Sequence, residues 1–111
     1  MTTTDPAEVL TALADPTRRL VLELLAQEPC TVGELAARLP VSRPAVSQHL
    51  KVLKEVGLVA DEAQGTRRRY SVAPEGVQAL RDYAEQLWRT ALGSFAATAR
   101  ADAGPPAPPS D

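Results

Sequence analysis

The chain has 111 residues, 44% hydrophobic and 23% charged, enough for one domain with a real core and ordinary for a soluble protein. One cysteine, Cys30, excludes an intrachain disulfide framework. No run approaches the roughly 20 apolar residues of a membrane span, and the polar Met1 to Glu8 does not read as a secretory signal, so a cytoplasmic location and no membrane partner are expected.

The net charge of -2 conceals a division along the chain. Residues 1–37 carry two basic and six acidic side chains, residues 38–70 seven and three, and residues 71–111 three and five. Phosphate attraction follows the local field, so a basic middle third between acidic flanks says more than the total.

Asp5-Pro6 and Asp15-Pro16 each read as an N-cap followed by proline at the first helical position. They open helices over 6–13 and 16–27, the second with Leu20, Val21, Leu24 and Leu25 at helical spacing. Thr31 and Glu34 have the spacing of a capping box and start a third helix over 32–38. Ser42-Arg43-Pro44 caps a fourth, which runs to Val56 and is closed by Gly57. Leu58–Asp61 and Arg67–Val72 read as two strands around the loop Ala63-Gln64-Gly65-Thr66. A long helix follows over 75–98, and Gly104-Pro105-Pro106-Ala107-Pro108-Pro109 is too proline-rich to pack. The expectation is a mainly α fold with a two-stranded β-hairpin, ordered α-α-α-α-β-β-α. It would form one domain over 1–100, followed by a disordered tail over 101–111.

On a helical wheel at 100° per residue, Val46, Leu50 and Leu53 of the fourth helix fall within about 60° and face the core. Pro44, Ser47, Gln48 and Lys51 lie opposite, with Arg43 and Lys54 beside them, and Glu55 is the helix's one acid. A helix with so polar and basic a face fits the major groove, where Arg and Gln pair bidentately with base edges and Ser reaches either kind of edge. Its free N-terminal N–H groups, next to the Ser42 cap, suit a phosphate.

The run Asp15-Pro16-Thr17-Arg18-Arg19, the segment Thr31 to Leu39, the segment Ser42 to Leu53 and Gly57-Leu58-Val59 together resemble the ArsR/SmtB family of transcriptional regulators over residues 5–98. The resemblance implies a winged helix-turn-helix fold, a homodimer built from the first and last helices, and repression released by a signal. It makes Leu10, Leu13, Leu80 and Tyr83 candidate interface residues. His49, at the edge of the reading face, either contacts DNA or packs between helices.

In the second strand Tyr70 and Val72 share one side and Arg67, Arg69 and Ser71 the other. With Val72 inward, Arg67 and Arg69 point outward as a wing would, toward phosphates or the minor groove. Arg68 sits near the tip, where neither side need be buried. The last helix repeats Val77, Leu80, Ala84, Leu87, Trp88, Ala91, Leu92 and Phe95 at three- and four-residue steps, more apolar surface than so small a domain can cover. Burial against a partner is its natural outlet, with Trp88 and Phe95 as anchors.

Many members of the family sense metals through a Cys-x-Cys segment whose positions are Thr31 and Gly33 here, with Cys30 one residue earlier. A second family site uses Asp and His on the last helix, and this chain has no His beyond His49. Zinc-like metals want three or four clustered Cys or His ligands, so no metal and no cofactor are expected. Cys30 reads as a small buried residue, the alternative being a redox thiol. No phosphate loop or paired nucleophile and base marks an enzyme. The expected function is sequence-specific binding of double-stranded DNA as a repressor. A winged-helix protein-interaction module without DNA binding is the rival, and it should expose apolar residues on the fourth helix.

Overall fold

The computed structural model describes residues 4–101, with side chains as far as Phe95. The elements run α1 (Pro6–Ala12), α2 (Pro16–Gln27), β1 (Cys30–Thr31), α3 (Val32–Arg38), α4 (Arg43–Glu55), β2 (Val59–Gln64), β3 (Arg67–Val72) and α5 (Pro74–Ala101). The expected tail lies outside the described residues apart from Ala101, which is still helical. Among the described residues no helix is long and apolar enough to cross a membrane.

The helix starts form as their sequences dictate. Asp5 accepts from Ala7 N at 2.9 Å, and Asp15 accepts from Thr17 N at 2.8 Å and Arg18 N at 3.2 Å, each ahead of a proline that has no N–H to satisfy. The backbone N–H bonds hold the Asp15 carboxyl below its ordinary pKa. The carbonyls left open at the end of α1 are met from the next helix. Arg18 Nε donates to Ala12 O at 2.6 Å and Arg19 Nη1 to Leu13 O at 2.7 Å. Both arginines therefore serve the turn between α1 and α2.

Contacts divide the chain after Leu80. In the unit up to Leu80, Val9, Val21, Leu35, Val46, Leu50, Leu53 and Leu58 are fully buried, so every helix from α1 to α4 contributes to one core. A buried Leu or Val stabilises by about 1.5–3 kcal/mol, which suffices to fix each helix's inward face. Leu20 lies at the margin of its helix's apolar side and is exposed, whereas Leu13 and Leu80 pack against the core. The described residues of the second unit, from Arg81, are the remainder of α5, and every one of their described side chains is exposed.

The sheet is antiparallel in the order β1-β3-β2, one strand more than the expected hairpin. β1 pairs Cys30 with Tyr70 and Thr31 with Arg69. Two residues carry no readable period, and Thr31 is also the cap of α3, so sequence alone gave no strand signal here. β2 extends to Gln64, three residues past expectation, and pairs Gln64 with Arg67. The predicted four-residue loop is therefore a two-residue turn, Gly65–Thr66, of the length that tight hairpins favour.

The end of α4 is closed by backbone alone. Leu58 N donates to Leu53 O at 2.9 Å and Gly57 N to Lys54 O at 3.1 Å, with Gly57 at φ 80°, the left-handed closure that glycine serves. Gly57 O then accepts from Gly76 N at 2.8 Å, joining the first turn of α5 to the end of α4. A Cβ on Gly76 would lie 2.6 Å from Gly57 O and 2.8 Å from Leu58 N. Alanine normally exceeds glycine in a helix by about 1 kcal/mol. Here Gly76→Ala should instead destabilise by about 1–3 kcal/mol, as overpacked substitutions do. Urea unfolding checks this, and a midpoint at or above the parent's refutes the close junction.

Candidate nucleic-acid interface

α4 has one side in the core and one in solvent. Val46, Leu50 and Leu53 are buried, while Arg43, Pro44, Ser47, Gln48, Lys51 and Lys54 are exposed, as their spacing predicts. Ser42 caps the helix by accepting from Ala45 N at 3.3 Å. Among the described residues, the side chains of Arg43, Ser47, Gln48 and Lys51 take no hydrogen bond or ion pair within the chain. They form a bare polar and basic surface on a rigid support.

His49 stands apart from them. It is half-buried, and its Nδ1 is fully enclosed without a hydrogen-bond partner. The packing alternative drawn from sequence matches this surrounding.

The start of α3 is built around Thr31 and Glu34. Glu34 N donates to Thr31 Oγ1 at 3.2 Å and Thr31 N donates to Glu34 Oε1 at 2.8 Å, the reciprocal capping box. The bond from the Thr31 N–H lowers the Glu34 carboxyl pKa. An open groove of about 480 Å³ runs beside this turn, with Gly33, Arg43, Arg67, Arg68 and Tyr70 among its walls. Arg43 and Arg67 thus bring α4 and the wing to one concavity.

The three wing arginines differ in their engagements. Arg67 is exposed and, among the described residues, makes no ion pair or hydrogen bond through its side chain. Arg68 Nε donates to Asp61 Oδ2 at 2.6 Å, and Lys54 Nζ reaches Asp61 Oδ1 at 2.8 Å. Arg69 does not extend freely outward as the alternation suggested. Its Nη1 donates to Pro29 O at 2.9 Å and its Nε to Gln64 Oε1 at 2.8 Å, with Glu34 Oε1 3.6 Å away. A guanidinium so placed ties the sheet to the segment before α3. Asp61 and Gln64 were missed as site residues, because their roles depend on β2 continuing to Gln64 and on the register that the shorter turn sets.

Residues 15–61 match the model of the bacterial regulatory protein arsR family. The HTH-type transcriptional regulator Rv2034 of Mycobacterium tuberculosis is 55% identical over 91 residues, 82% of this chain and 85% of that protein. The chain belongs to the ArsR family. A solved ArsR-like transcriptional regulator from Rhodococcus sp. RHA1 superposes with a TM-score of 0.77 at 32% identity, covering 86% of this chain and 90% of that one. The homodimeric winged helix-turn-helix DNA-binding domain of Mb0332 from Mycobacterium bovis gives 0.60 at 30% identity, covering 86% and 81%. This ArsR-family chain therefore has the winged helix-turn-helix fold of a transcriptional regulator, and its relatives are regulators, not enzymes.

The family's metal-binding segment does not fit the residues here. The Thr31 hydroxyl is occupied by the capping box, and a Cβ at Gly33 would lie 3.2 Å from the Arg43 guanidinium. A cation there would meet an arginine in place of a thiolate. Cys30 is buried, donates through Sγ to Glu28 O at 3.4 Å, and has its thiol pKa raised by burial, opposite to the shift that activates a thiol.

Asp61 generates a pH prediction. Bonds from Lys54 and Arg68 hold its carboxyl below the usual carboxylate range. A lowered folded pKa contributes stability above the unfolded value of about 3.9, lost as pH falls through the folded one. Parent and Asp61→Asn should therefore differ fully in unfolding free energy above about pH 5, and the difference should shrink as pH falls below about 4 and vanish below the lowered folded value. Urea titrations across that range check this, and a gap unchanged at low pH refutes it.

Proposed function

We propose that this regulator binds a pseudo-palindromic operator as a homodimer, reading bases with α4 and holding phosphates with the wing. It represses by occupying the promoter, the mode that the family resemblance implies. The single observation carrying this is the outer face of α4, where Arg43, Ser47, Gln48 and Lys51 are exposed, unpartnered within the described chain and accompanied by no acid until Glu55. The exposed large hydrophobic residues lie on α1, α2 and α5, and none lies on α4. That distribution favours DNA over the rival protein-interaction reading.

Base reading is assigned to Ser47, Gln48 and Arg43, whose groups match the major-groove edges, and Lys51 and Arg67 to phosphates. Gln48→Ala should keep its affinity for random DNA and lose operator preference by about 1–3 kcal/mol. Lys51→Ala with Arg67→Ala removes two contacts from each protomer and should flatten the log–log salt dependence of the dimer by about 3–4 units, at about 0.9 per phosphate, with preference retained. Fluorescence anisotropy over a salt series checks both. An unchanged slope removes these two residues from the backbone contacts.

The symmetric partner is assigned to α5. Tyr83, Leu87, Trp88, Leu92 and Phe95 are all exposed on it, at 41 to 65%. Such a stripe marks an interaction surface, and Mb0332 is homodimeric. A two-fold dimer would present two α4 helices to successive major grooves about 34 Å apart. Trp88→Ala with Ala91→Glu should sediment as a folded monomer, at a cost on the order of several kcal/mol of association, and lose operator binding. A double variant that stays dimeric refutes this assignment.

A further inference from the structure

Asp61 is an acid set among the residues proposed to meet DNA. Its side chain is only 6% exposed, against 55% for both Lys54 and Arg68. Strand alternation puts it on the same face as Tyr70, its direct partner across the ladder, and Tyr70 packs against the core. A carboxylate at that depth is costly unless each oxygen has a donor. Lys54 meets Oδ1 at 2.8 Å from the last turn of α4, and Arg68 meets Oδ2 at 2.6 Å from the tip of β3. One carboxylate thereby bridges the recognition helix and the wing.

Resting on the DNA reading above, we infer that Asp61 is a positioning residue for operator recognition: it fixes the wing against α4 and withholds Lys54 and Arg68 from free phosphate binding. Two consequences follow from the geometry. The bridge leaves the wing and α4 moving as one body, so Arg67 meets its phosphate in the register that places Gln48 and Ser47 over their bases. The cluster of Lys54, Arg68 and Asp61 carries one net positive charge where the two cations alone would carry two. A free lysine and arginine add affinity for any duplex without reading its sequence. The carboxylate thus lowers indiscriminate binding while holding the discriminating elements in place, the repulsive component that specificity commonly needs.

The test measures anisotropy of the full chain on operator and random duplexes across a salt series, with circular dichroism to verify folding. Asp61→Asn should bind random DNA about tenfold more tightly, steepen the salt slope of the dimer by about 2 units, one for each protomer, and lower the operator-over-random ratio about tenfold. Asp61→Glu keeps the charge and should restore the parent slope. Arg68→Gln lies at an exposed position, so it tests the bridge even if Asp61→Asn folds poorly. It should lower the operator ratio and flatten the slope by less than about 0.5 unit. A folded Asp61→Asn with the parent's slope and ratio overturns the inference. So does an Arg68→Gln that loses a full phosphate's slope and keeps its ratio. Either result, with Gln48→Ala still losing discrimination, leaves the DNA reading intact. A parent that binds no duplex overturns both.

Discussion

Val46, Leu50 and Leu53 hold α4 by one side in the core, and the outward half of that helix has its direction set by theirs. The three residues share a core with Val21 and Leu25 of α2, Leu35 of α3 and Val59 of β2. Turning α4 about its axis by one residue, 100°, would bring a polar side chain inward and carry a leucine into water. A buried face with no slack fixes the backbone from which the outward side chains project. The helix start and end are fixed as well, by Ser42 at one end and the Gly57 closure at the other. The backbone of α4 is therefore fixed by the core behind it and by both of its ends.

The charge pattern takes on a different meaning once its partners are assigned. Seven basic residues between 38 and 70 read as one electropositive stripe. Lys54, Arg68 and Arg69 are each engaged by an acid or a carbonyl of the same chain. Among the described residues, the side chains of Arg38, Arg43, Lys51 and Arg67 are exposed and take no hydrogen bond or ion pair within the chain. Exposed pairs of this kind contribute little to stability, and Asp61 differs because its own side chain is nearly enclosed. The pairing divides the basic residues into those held within the chain and those left open to solvent.

Features that depend on neighbours along the chain were legible. The Asp-Pro caps, the Thr31 to Glu34 box, the period of α4 and the Gly57 closure each involve residues within about one helical turn, where spacing and geometry are nearly equivalent. Features that depend on strand pairing were not. β1 became a strand because Arg69 and Tyr70 come alongside it, some 40 residues later in the chain, and nothing in Cys30-Thr31 alone requires that. Placing the turn at 65–66 fixes the register, and the register puts Asp61 diagonal to Arg68 and Gln64 diagonal to Arg69 on their respective faces. A four-residue loop over 63–66 leaves Gln64 out of the ladder and changes every cross-strand partner, because register carries every side chain with it. The α5 stripe was legible as excess apolar surface, and the structure leaves it exposed.

The junction between α4 and α5 transmits position differently from the rest of the core. Side-chain contacts absorb small shifts through rotamer changes, costing of order 1 kcal/mol when a torsion leaves its well. Between Gly57 and Gly76 no side chain intervenes: a backbone N–H meets a backbone carbonyl at 2.8 Å, with room for no methyl group. A second backbone bond, Ala73 N to Leu58 O at 2.8 Å, lies beside it. Two such bonds on adjacent residues fix direction as well as distance, because each needs its donor aligned with its acceptor. The first turn of α5 therefore cannot tilt without displacing Gly57 and, through the Leu58 to Leu53 bond, the last turn of α4 that carries Lys54. The backbone that ends α4 is the same backbone that aims the first turn of α5.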